Sequence, residues 1–186
     1  MRTISFFRLT LLSCLAACSL SSCGPRVHAP AHHISLGKPV EFDLPLVNGS
    51  SLSSSALEGR YVLLHLWATW CIPCVQELSA LQSFAAQFPP EQLSVLIVAV
   101  ESDWDAVDDY LRSRRISLPC LLDRSGNLKS AFRLLGVPST FLLDKQSRLA
   151  AIPDPQDGIL RSSVSGPRDW TSASAHEVYR RLLKAE

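Results

Sequence analysis

Two cysteines separated by two residues, in the segment Cys71-Ile72-Pro73-Cys74, form the strongest chemical motif of the sequence. Cysteines at this spacing can form a disulfide across the first turn of a helix. The first thiol would lie at the helix N-terminus, where unpaired N–H groups and the helix dipole stabilise a thiolate. This predicts Cys71 as the attacking thiolate and Cys74 as the resolving thiol that releases a mixed disulfide. Pro73 is compatible with a first helical turn, where its missing N–H would have no intrahelical partner.

Two other roles of the cysteine pair have less support in the sequence. A zinc site needs two further ligands at a suitable spacing, and the only other cysteine after residue 37 is Cys120. A purely structural disulfide around two residues would contribute little, because in the chain-entropy model the stabilisation grows with loop length. The pair is therefore predicted to be redox-active, with no metal and no cofactor. Cys120 is predicted to be a small buried side chain on a strand.

The cysteine motif lies at the junction between a predicted strand and a predicted helix. Residues 61–67 form a short apolar run, which is typical of a strand buried on both faces. Apolar residues then recur at helical spacing from 75 to 88, and a Pro-Pro pair ends the helix. Ser174 followed by Glu177 predicts a capping box at the start of the last helix. Further strands are predicted at 93–100, 120–122 and 140–143, and further helices at 104–111, 128–135 and 174–183. This alternation predicts an α/β sandwich with a central sheet.

The composition excludes several classes of protein. Apolar residues make up 47% and charged residues 19%, which is enough for a core and too few charges for a disordered chain. The formal net charge of +1 argues against a nucleic-acid partner, which requires a strongly basic patch. No apolar run reaches the 18 or more residues of a membrane-spanning helix.

The N-terminal residues 1–17 are predicted to be an export signal. Arg2 and Arg8 form a positively charged region before the short apolar stretch at 9–17, and no acidic residue intervenes. The segment Leu15-Ala16-Ala17 directly before Cys18 resembles the bacterial lipobox, whose cysteine carries the lipid that anchors the protein to a membrane. Lipidation at Cys18 is therefore predicted.

A tether is predicted between the lipid and the folded domain. Residues 18–37 are rich in Ser, Pro, Gly, Ala and His without helical or strand periodicity, so the folded domain is predicted at 38–186. A second, weaker lipobox ends at Cys23, and a protein without lipid or with an uncleaved anchor also remains open. Three linker histidines are predicted to be solvated rather than a metal patch: His28, His32 and His33.

The sequence WATWCIPC at 67–74, followed by Gly-Val-Pro-Ser-Thr at 136–140, resembles the thioredoxin superfamily and, within it, the TlpA/ResA-like (DsbE-like) branch. The resemblance covers 38–186. It implies a thioredoxin-like three-layer αβα sandwich with a central mixed β-sheet and an N-terminal extension. It also implies a cis peptide at Pro138, which exposes the backbone of Val137 beside the disulfide for pairing with an extended substrate segment. The other expected substrate-binding residues are Trp70, Ile72 and Pro73.

His65 and the segment 152–163 depart from the pattern of this branch, and Glu101 is a second acid–base candidate. His65 stands six residues before Cys71, where relatives usually place a buried Asp or Asn, and either relays a proton to Cys74 or packs in the core as a neutral ring. Glu101 lies near the place where some ResA-like proteins carry an active-site glutamate, and its alternative is an exposed carboxylate at a strand end. Residues 152–163 are longer than the usual hairpin and are predicted to be a surface loop that is available to a partner.

The resemblance implies an exported, lipid-anchored thiol–disulfide oxidoreductase that faces the periplasm or extracytoplasmic space. Its implied clients are oxidised cysteines of apocytochrome c or of a copper-site protein, and a membrane electron donor would re-reduce it. A copper-binding chaperone on the same fold is the alternative, although such proteins typically use a CxxxC pair and a distal histidine, here His176. A thiol peroxidase is less consistent with cysteines in a WCxxC motif.

Overall fold

The computed structural model describes residues 34–184, and the predicted signal, the candidate lipidation sites and the linker histidines lie outside them. Ile34 is buried and donates its N–H to the Ala131 carbonyl at 3.1 Å. Packing against the domain therefore includes residues on the N-terminal side of the boundary predicted at 38. Within the described range, no helix combines the length and the apolar character needed to cross a bilayer.

Strands and helices alternate along most of the chain. In chain order they are β1 Asp43–Pro45, β2 Ser51–Ser53, β3 Tyr61–Trp67, α1 Ile72–Ala85, β4 Leu93–Ala99, α2 Trp104–Arg114, β5 Cys120–Leu122, α3 Asn127–Ala131, β6 Ser139–Leu143, β7 Leu149–Ala150, β8 Ile152–Pro153, β9 Leu160–Arg161, β10 Val164–Ser165 and α4 Ala173–Lys184. A short 3₁₀ turn, Ser54–Leu57, follows β2.

The central sheet is mixed, with the strand order β10-β6-β3-β4-β5. Strands β3, β4 and β5 are parallel, whereas β6 runs antiparallel to β3 and pairs on its other edge with β7 and β10. In this register His65 lies opposite Thr140 of β6 and Ile97 of β4. The central position of β3 explains its continuous apolar sequence, because both of its faces are covered.

Alternate residues of β3 divide the core into two layers. Leu63 and Trp67 pack with buried residues of α1, α2 and α4 on one face, and Val62 and Leu64 pack with α3 and β1 on the other. This alternation follows from the two-residue period of a strand. The predicted three-layer thioredoxin-like sandwich is confirmed.

Two helices end earlier than the apolar pattern predicts. Helix α1 ends at Ala85, and Phe88 closes a turn by donating its N–H to the Ala85 carbonyl at 3.1 Å. Helix α3 ends at Ala131, and Arg133 has a left-handed backbone with φ of 46°, which a continuing helix cannot include. Phe88 and Phe132, which follow the two helices, are buried although they lie in turns, whereas Leu135 at the end of the predicted third helix is fully exposed.

The start of α4 differs from the predicted capping box. The helix begins at Ala173, and the Ser172 hydroxyl accepts the Ala175 N–H at 3.1 Å. Ser172 therefore occupies the N-cap position, and Ser174 is already inside the helix.

Candidate active site

Cys71 and Cys74 form a disulfide at the N-terminus of α1, immediately after β3. Cys71 is the N-cap residue of α1, and its Sγ accepts the Cys74 N–H at 3.3 Å. Pro73 is the second residue of the helix, where a missing N–H leaves no intrahelical bond unmade. After reduction, the same N–H and the helix dipole would stabilise a thiolate on Cys71.

The two sulfur-bearing residues differ in accessibility. Cys71 is 5% exposed and Cys74 is fully buried. Cys71 is thus less exposed than the motif alone suggests, but it is the member of the pair that an incoming molecule can reach. Trp70 and Ile72 flank it and are 67% and 69% exposed, an unusual exposure for large apolar side chains.

The loop before β6 lies against Cys71. The Val137–Pro138 peptide is cis, as the resemblance implies, and the Val137 carbonyl oxygen lies 3.5 Å from Cys71 Sγ. Ser139 closes the loop, because its hydroxyl donates to the Gly136 carbonyl at 2.8 Å. The structure therefore brings Cys71, Cys74, Val137 and Pro138 together.

Glu101 supports the loop between β3 and α1. Its two carboxylate oxygens accept the N–H of Thr69 at 2.6 Å and the hydroxyl of Thr69 at 2.7 Å. Glu101 is half-buried, so the alternative of an exposed strand-end carboxylate does not describe it. Because both of its oxygens bind Thr69, two residues before Cys71, the contacts assign Glu101 a supporting position beneath the cysteine loop.

His65 is buried behind the active-site helix. Its Nδ1 lies 3.0 Å from Thr140 Oγ1, and its Nε2 lies 3.4 Å from Glu77 Oε1. Burial lowers the pKa of His65 to about 3, so the ring is neutral at neutral pH. Since both ring nitrogens face these two partners, a proton relay from His65 to Cys74 would have to involve Glu77. The relay stays a prediction.

Glu77 is a site residue that the sequence interpretation missed. It lies on α1 three residues after Cys74, so the two side chains share a helix face. Its Oε2 accepts the Arg168 N–H at 2.9 Å and the Trp170 Nε1–H at 3.2 Å. Burial raises the pKa of Glu77 to about 7, while the Arg168 N–H, the Trp170 indole and the Arg168 charge oppose this rise.

This arrangement places a carboxyl group that titrates near neutral pH one helical turn from a buried sulfur. Such a group can exchange protons with a thiol at neutral pH. The sequence contained one signal that Glu77 is buried, because it stands next to Leu78 on the apolar face of a predicted amphipathic helix. An unpaired carboxylate is rarely found on a buried face.

The remaining candidates lie apart from the disulfide. Cys120 is a buried free thiol on β5, as predicted, and burial raises its pKa to about 12. His176 packs against Phe84 and Phe88 near the C-terminal end of α1, whereas Cys71 is at the N-terminus of that helix. Among residues 34–184 no group of three or more His, Cys, Asp or Glu side chains has a metal-binding arrangement.

Comparison with known proteins agrees with this geometry. The sporulation thiol-disulfide oxidoreductase A of Bacillus subtilis is 27% identical over 114 residues, which are 60% of this chain and 68% of that protein. The thiol-disulfide oxidoreductase ResA of the same organism is 28% identical over 111 residues, 60% of this chain and 62% of that protein. The chain thus spans about two thirds of the length of these relatives.

A solved structure shows the same fold. The exposed lipoprotein thioredoxin of Streptococcus pneumoniae superposes with a TM-score of 0.60 at 21% identity, covering 79% of this chain and all of that one. The model of the AhpC/TSA family matches residues 36–152, which is more than half of the chain. The chain therefore belongs to the AhpC/TSA family, and ResA-type thiol-disulfide oxidoreductases with a thioredoxin-like fold are among its relatives.

Proposed function

We propose that this chain is an extracytoplasmic thiol–disulfide oxidoreductase, tethered to a membrane through Cys18, that reduces disulfides of client proteins. The observation that carries the proposal is the Cys71–Cys74 disulfide at the N-terminus of α1, with the Val137 carbonyl 3.5 Å from Cys71 Sγ. This geometry presents one reachable sulfur and keeps the second sulfur buried behind it.

The reaction proceeds in two exchanges of sulfur. In the reduced chain, the Cys71 thiolate attacks one sulfur of a client disulfide, and the other client sulfur leaves as a thiolate. Cys74 then loses its proton to Glu77 and attacks Cys71 Sγ, which breaks the mixed disulfide and releases the second client thiolate. The client gains two electrons, and the chain is left with the disulfide seen in the structure.

The client segment binds across the exposed side of Cys71. Trp70 and Ile72 supply apolar contacts on one side, and the backbone at Val137 supplies hydrogen-bonding groups on the other. Leu135 is fully exposed two residues before Val137 and extends the apolar surface. An extended client segment with apolar side chains next to its cysteine fits these features.

The proposed client class and location rest on the resemblance to the TlpA/ResA-like branch. The proposed clients are apocytochrome c or a copper-site protein, and a membrane electron donor returns the two electrons. Support comes from similarity to proteins named ResA and to one named an exposed lipoprotein thioredoxin. The proposal includes a signal peptide at 1–17, a lipidated tether at 18–37 and the thioredoxin-like domain at 38–186.

Trapping the mixed disulfide tests the proposed reaction. With Cys74→Ser, the first exchange still occurs but no second sulfur can release the client, so a covalent adduct with a model disulfide protein is expected. Cys71→Ser is the matched control and should form no adduct. Non-reducing electrophoresis and mass spectrometry measure both, and adduct formation through Cys74 in the control would reverse the assigned roles.

A second prediction concerns the tether. Cys18→Ser is expected to move the protein from the membrane fraction to the soluble fraction, because lipid on its sulfur is the proposed anchor. Fractionation with immunodetection measures the distribution, and Cys23→Ser is the control that should leave it unchanged. Release by Cys23→Ser alone would place the lipid on the second lipobox instead.

A further inference from the structure

The hairpin of β8 and β9 carries a buried carboxylate that the proposed redox steps do not use. The sequence interpretation treated 152–163 as a surface loop, but Asp154, directly after β8, is 1% exposed. Its Oδ1 accepts the Gln156 N–H at 3.0 Å, and its backbone pairs with Ile159 and Gly158 across the turn. These bonds shape the hairpin but do not neutralise a buried negative charge.

Arg168 supplies the opposite charge. Its Nε lies 2.8 Å from Asp154 Oδ1 and its Nη2 lies 2.9 Å from Oδ2, a two-pronged pairing that fixes the plane of the guanidinium. The Arg168 side chain is only 14% exposed, and its Nη1 also donates to the Pro167 carbonyl at 2.9 Å. Arg161 contacts the same Asp154 carboxylate at 3.2 Å from the hairpin itself.

The backbone of Arg168 contacts the active-site helix. Its N–H donates to Glu77 Oε2 at 2.9 Å, and the Trp170 indole donates to the same oxygen at 3.2 Å. The segment 168–170 is therefore held by Asp154 on one side and holds Glu77 on the other. The remaining Glu77 oxygen faces His65 Nε2 at 3.4 Å.

The ionisation of Glu77 depends on the two N–H donors and the positive charge that the segment 168–170 supplies. Burial raises the pKa of Glu77, and the Arg168 N–H, the Trp170 N–H and the Arg168 charge are the groups that limit the rise. The charged or titratable groups that face Glu77 or lie behind its partners come from β3, the segment before α4, the hairpin and α4: His65, Arg168, Asp154, Arg161 and Tyr179.

We propose that Asp154, acting through Arg168, is a positioning residue for Glu77 in the active-site helix. The inference rests on the proposed function, in which Glu77 takes the proton of Cys74. Without the Asp154 carboxylate, only carbonyl contacts to Gly166 and Pro167 would hold the guanidinium. The guanidinium would turn toward water, which removes its positive charge from the neighbourhood of Glu77 and leaves the Arg168 backbone N–H, the donor to Glu77 Oε2, less firmly positioned. Both changes disfavour the ionised form of Glu77.

The experiment measures the pKa of Glu77 in the full-length oxidised protein, in which the disulfide sulfurs do not titrate. Carboxyl-labelled glutamate gives the NMR signal, and Glu77→Gln identifies it by its loss. Asp154→Asn can keep the Oδ1 contacts to the Gln156 N–H and to Arg168 Nε, but it loses the negative charge and the Oδ2 contact to Arg168 Nη2. It should raise the pKa of Glu77 by about one unit. Asp157→Asn is the matched control on the same hairpin, because Asp157 pairs with Arg161 rather than Arg168, and it should leave that pKa unchanged.

A second variant tests the same contact in case Asp154→Asn does not fold. Arg168→Lys keeps the charge but loses the two-pronged contact, so it should shift the pKa of Glu77 in the same direction by a smaller amount. The pH profile of disulfide exchange should move by the same amount as the pKa in each variant.

The possible failures can be told apart. An unchanged pKa in both variants overturns the inference. A lower pKa in Asp154→Asn also overturns it, because Arg168 would then have stayed in place and Asp154 would act only as a charge. A wild-type protein without exchange activity but with the expected NMR shift would instead refute the proposed function.

Discussion

Replacing Glu77 with glutamine and replacing His65 with asparagine are expected to change stability in opposite directions between pH 4.5 and 6.5. Relative to the wild type, Glu77→Gln should gain about 2 kcal/mol of unfolding free energy as the pH rises through this window. His65→Asn should lose about the same amount over the same window. The opposite slopes follow from the number of protons that the buried pair binds in each state.

The folded protein holds one proton on this pair, and so does the unfolded chain. In the folded state His65 has a pKa of about 3 and Glu77 a pKa of about 7, so at intermediate pH the proton is on Glu77. In the unfolded chain, ordinary values of 6.5 for histidine and 4.5 for glutamate put the proton on His65. Equal proton binding means that the pair contributes no pH dependence of stability in this window.

Each variant leaves one half of the pair. With Glu77→Gln, the unfolded chain binds a proton on His65 that the folded state excludes, so stability present above pH 6.5 is lost as the pH falls toward 3. With His65→Asn, the folded state keeps a proton on Glu77 that the unfolded chain has released. Stability present below pH 4.5 is then lost as the pH rises through about 7.

Denaturant unfolding of the oxidised proteins at pH steps from 4 to 8 measures these slopes. Subtracting the wild-type curve removes the contributions of the other titratable groups. Glu177→Gln is a matched control, because Glu177 is exposed and pairs with Arg181 on the surface of α4. If the stability curves of both buried variants ran parallel to the wild-type curve, burial in the folded state would not have shifted the pKa of His65 or of Glu77.

Elements with strong local signals could be predicted from the sequence. The apolar run of β3 and the helix after Cys71 depend on motifs within a few residues, whereas the cis peptide at Pro138 was expected from the resemblance to the thioredoxin superfamily. The pairing of strands also explains why His65 meets Thr140, but this register is set by non-local contacts across the sheet. A histidine on a buried strand therefore predicted a polar contact without identifying its partner.

The polar core behind the helix could not be predicted, because its members are distant in sequence. Glu77 is buried by the segment around Trp170, 93 residues later, and Asp154 reaches Arg168 across the hairpin insertion. Composition and periodicity do not report which single carboxylates become buried. Glu101, the carboxylate that the resemblance indicated, binds Thr69 because the end of β4 lies beside the loop after β3, and its role as a proton relay stays a prediction.

Glu77→Gln is also expected to slow the release of the client by about 100-fold at neutral pH, which is the contribution typical of a general base. Cys74 is fully buried, and a thiol in apolar surroundings ionises poorly. Glutamine fills the same space but cannot accept the Cys74 proton. The first exchange, in which Cys71 attacks, should keep its rate, so the mixed disulfide should accumulate.

Rapid acid quenching of the reduced protein with a model disulfide separates the two steps. In the wild type, the second step should accelerate as the pH rises through about 7, where Glu77 loses its proton. Glu77→Gln should lose this acceleration, whereas His65→Asn keeps the carboxylate and should only displace the profile. Cys74→Ser provides the limit in which the mixed disulfide never resolves.

The comparison of the two variants decides which group receives the proton. His65 directs its nitrogens at Thr140 and Glu77, so its influence on Cys74 passes through the Glu77 carboxyl. A profile that is flat in His65→Asn and retained in Glu77→Gln would reverse this order and make the imidazole the direct acceptor. The larger loss is expected in Glu77→Gln, because Glu77 shares the helix face of Cys74 and titrates at the pH where the exchange must occur.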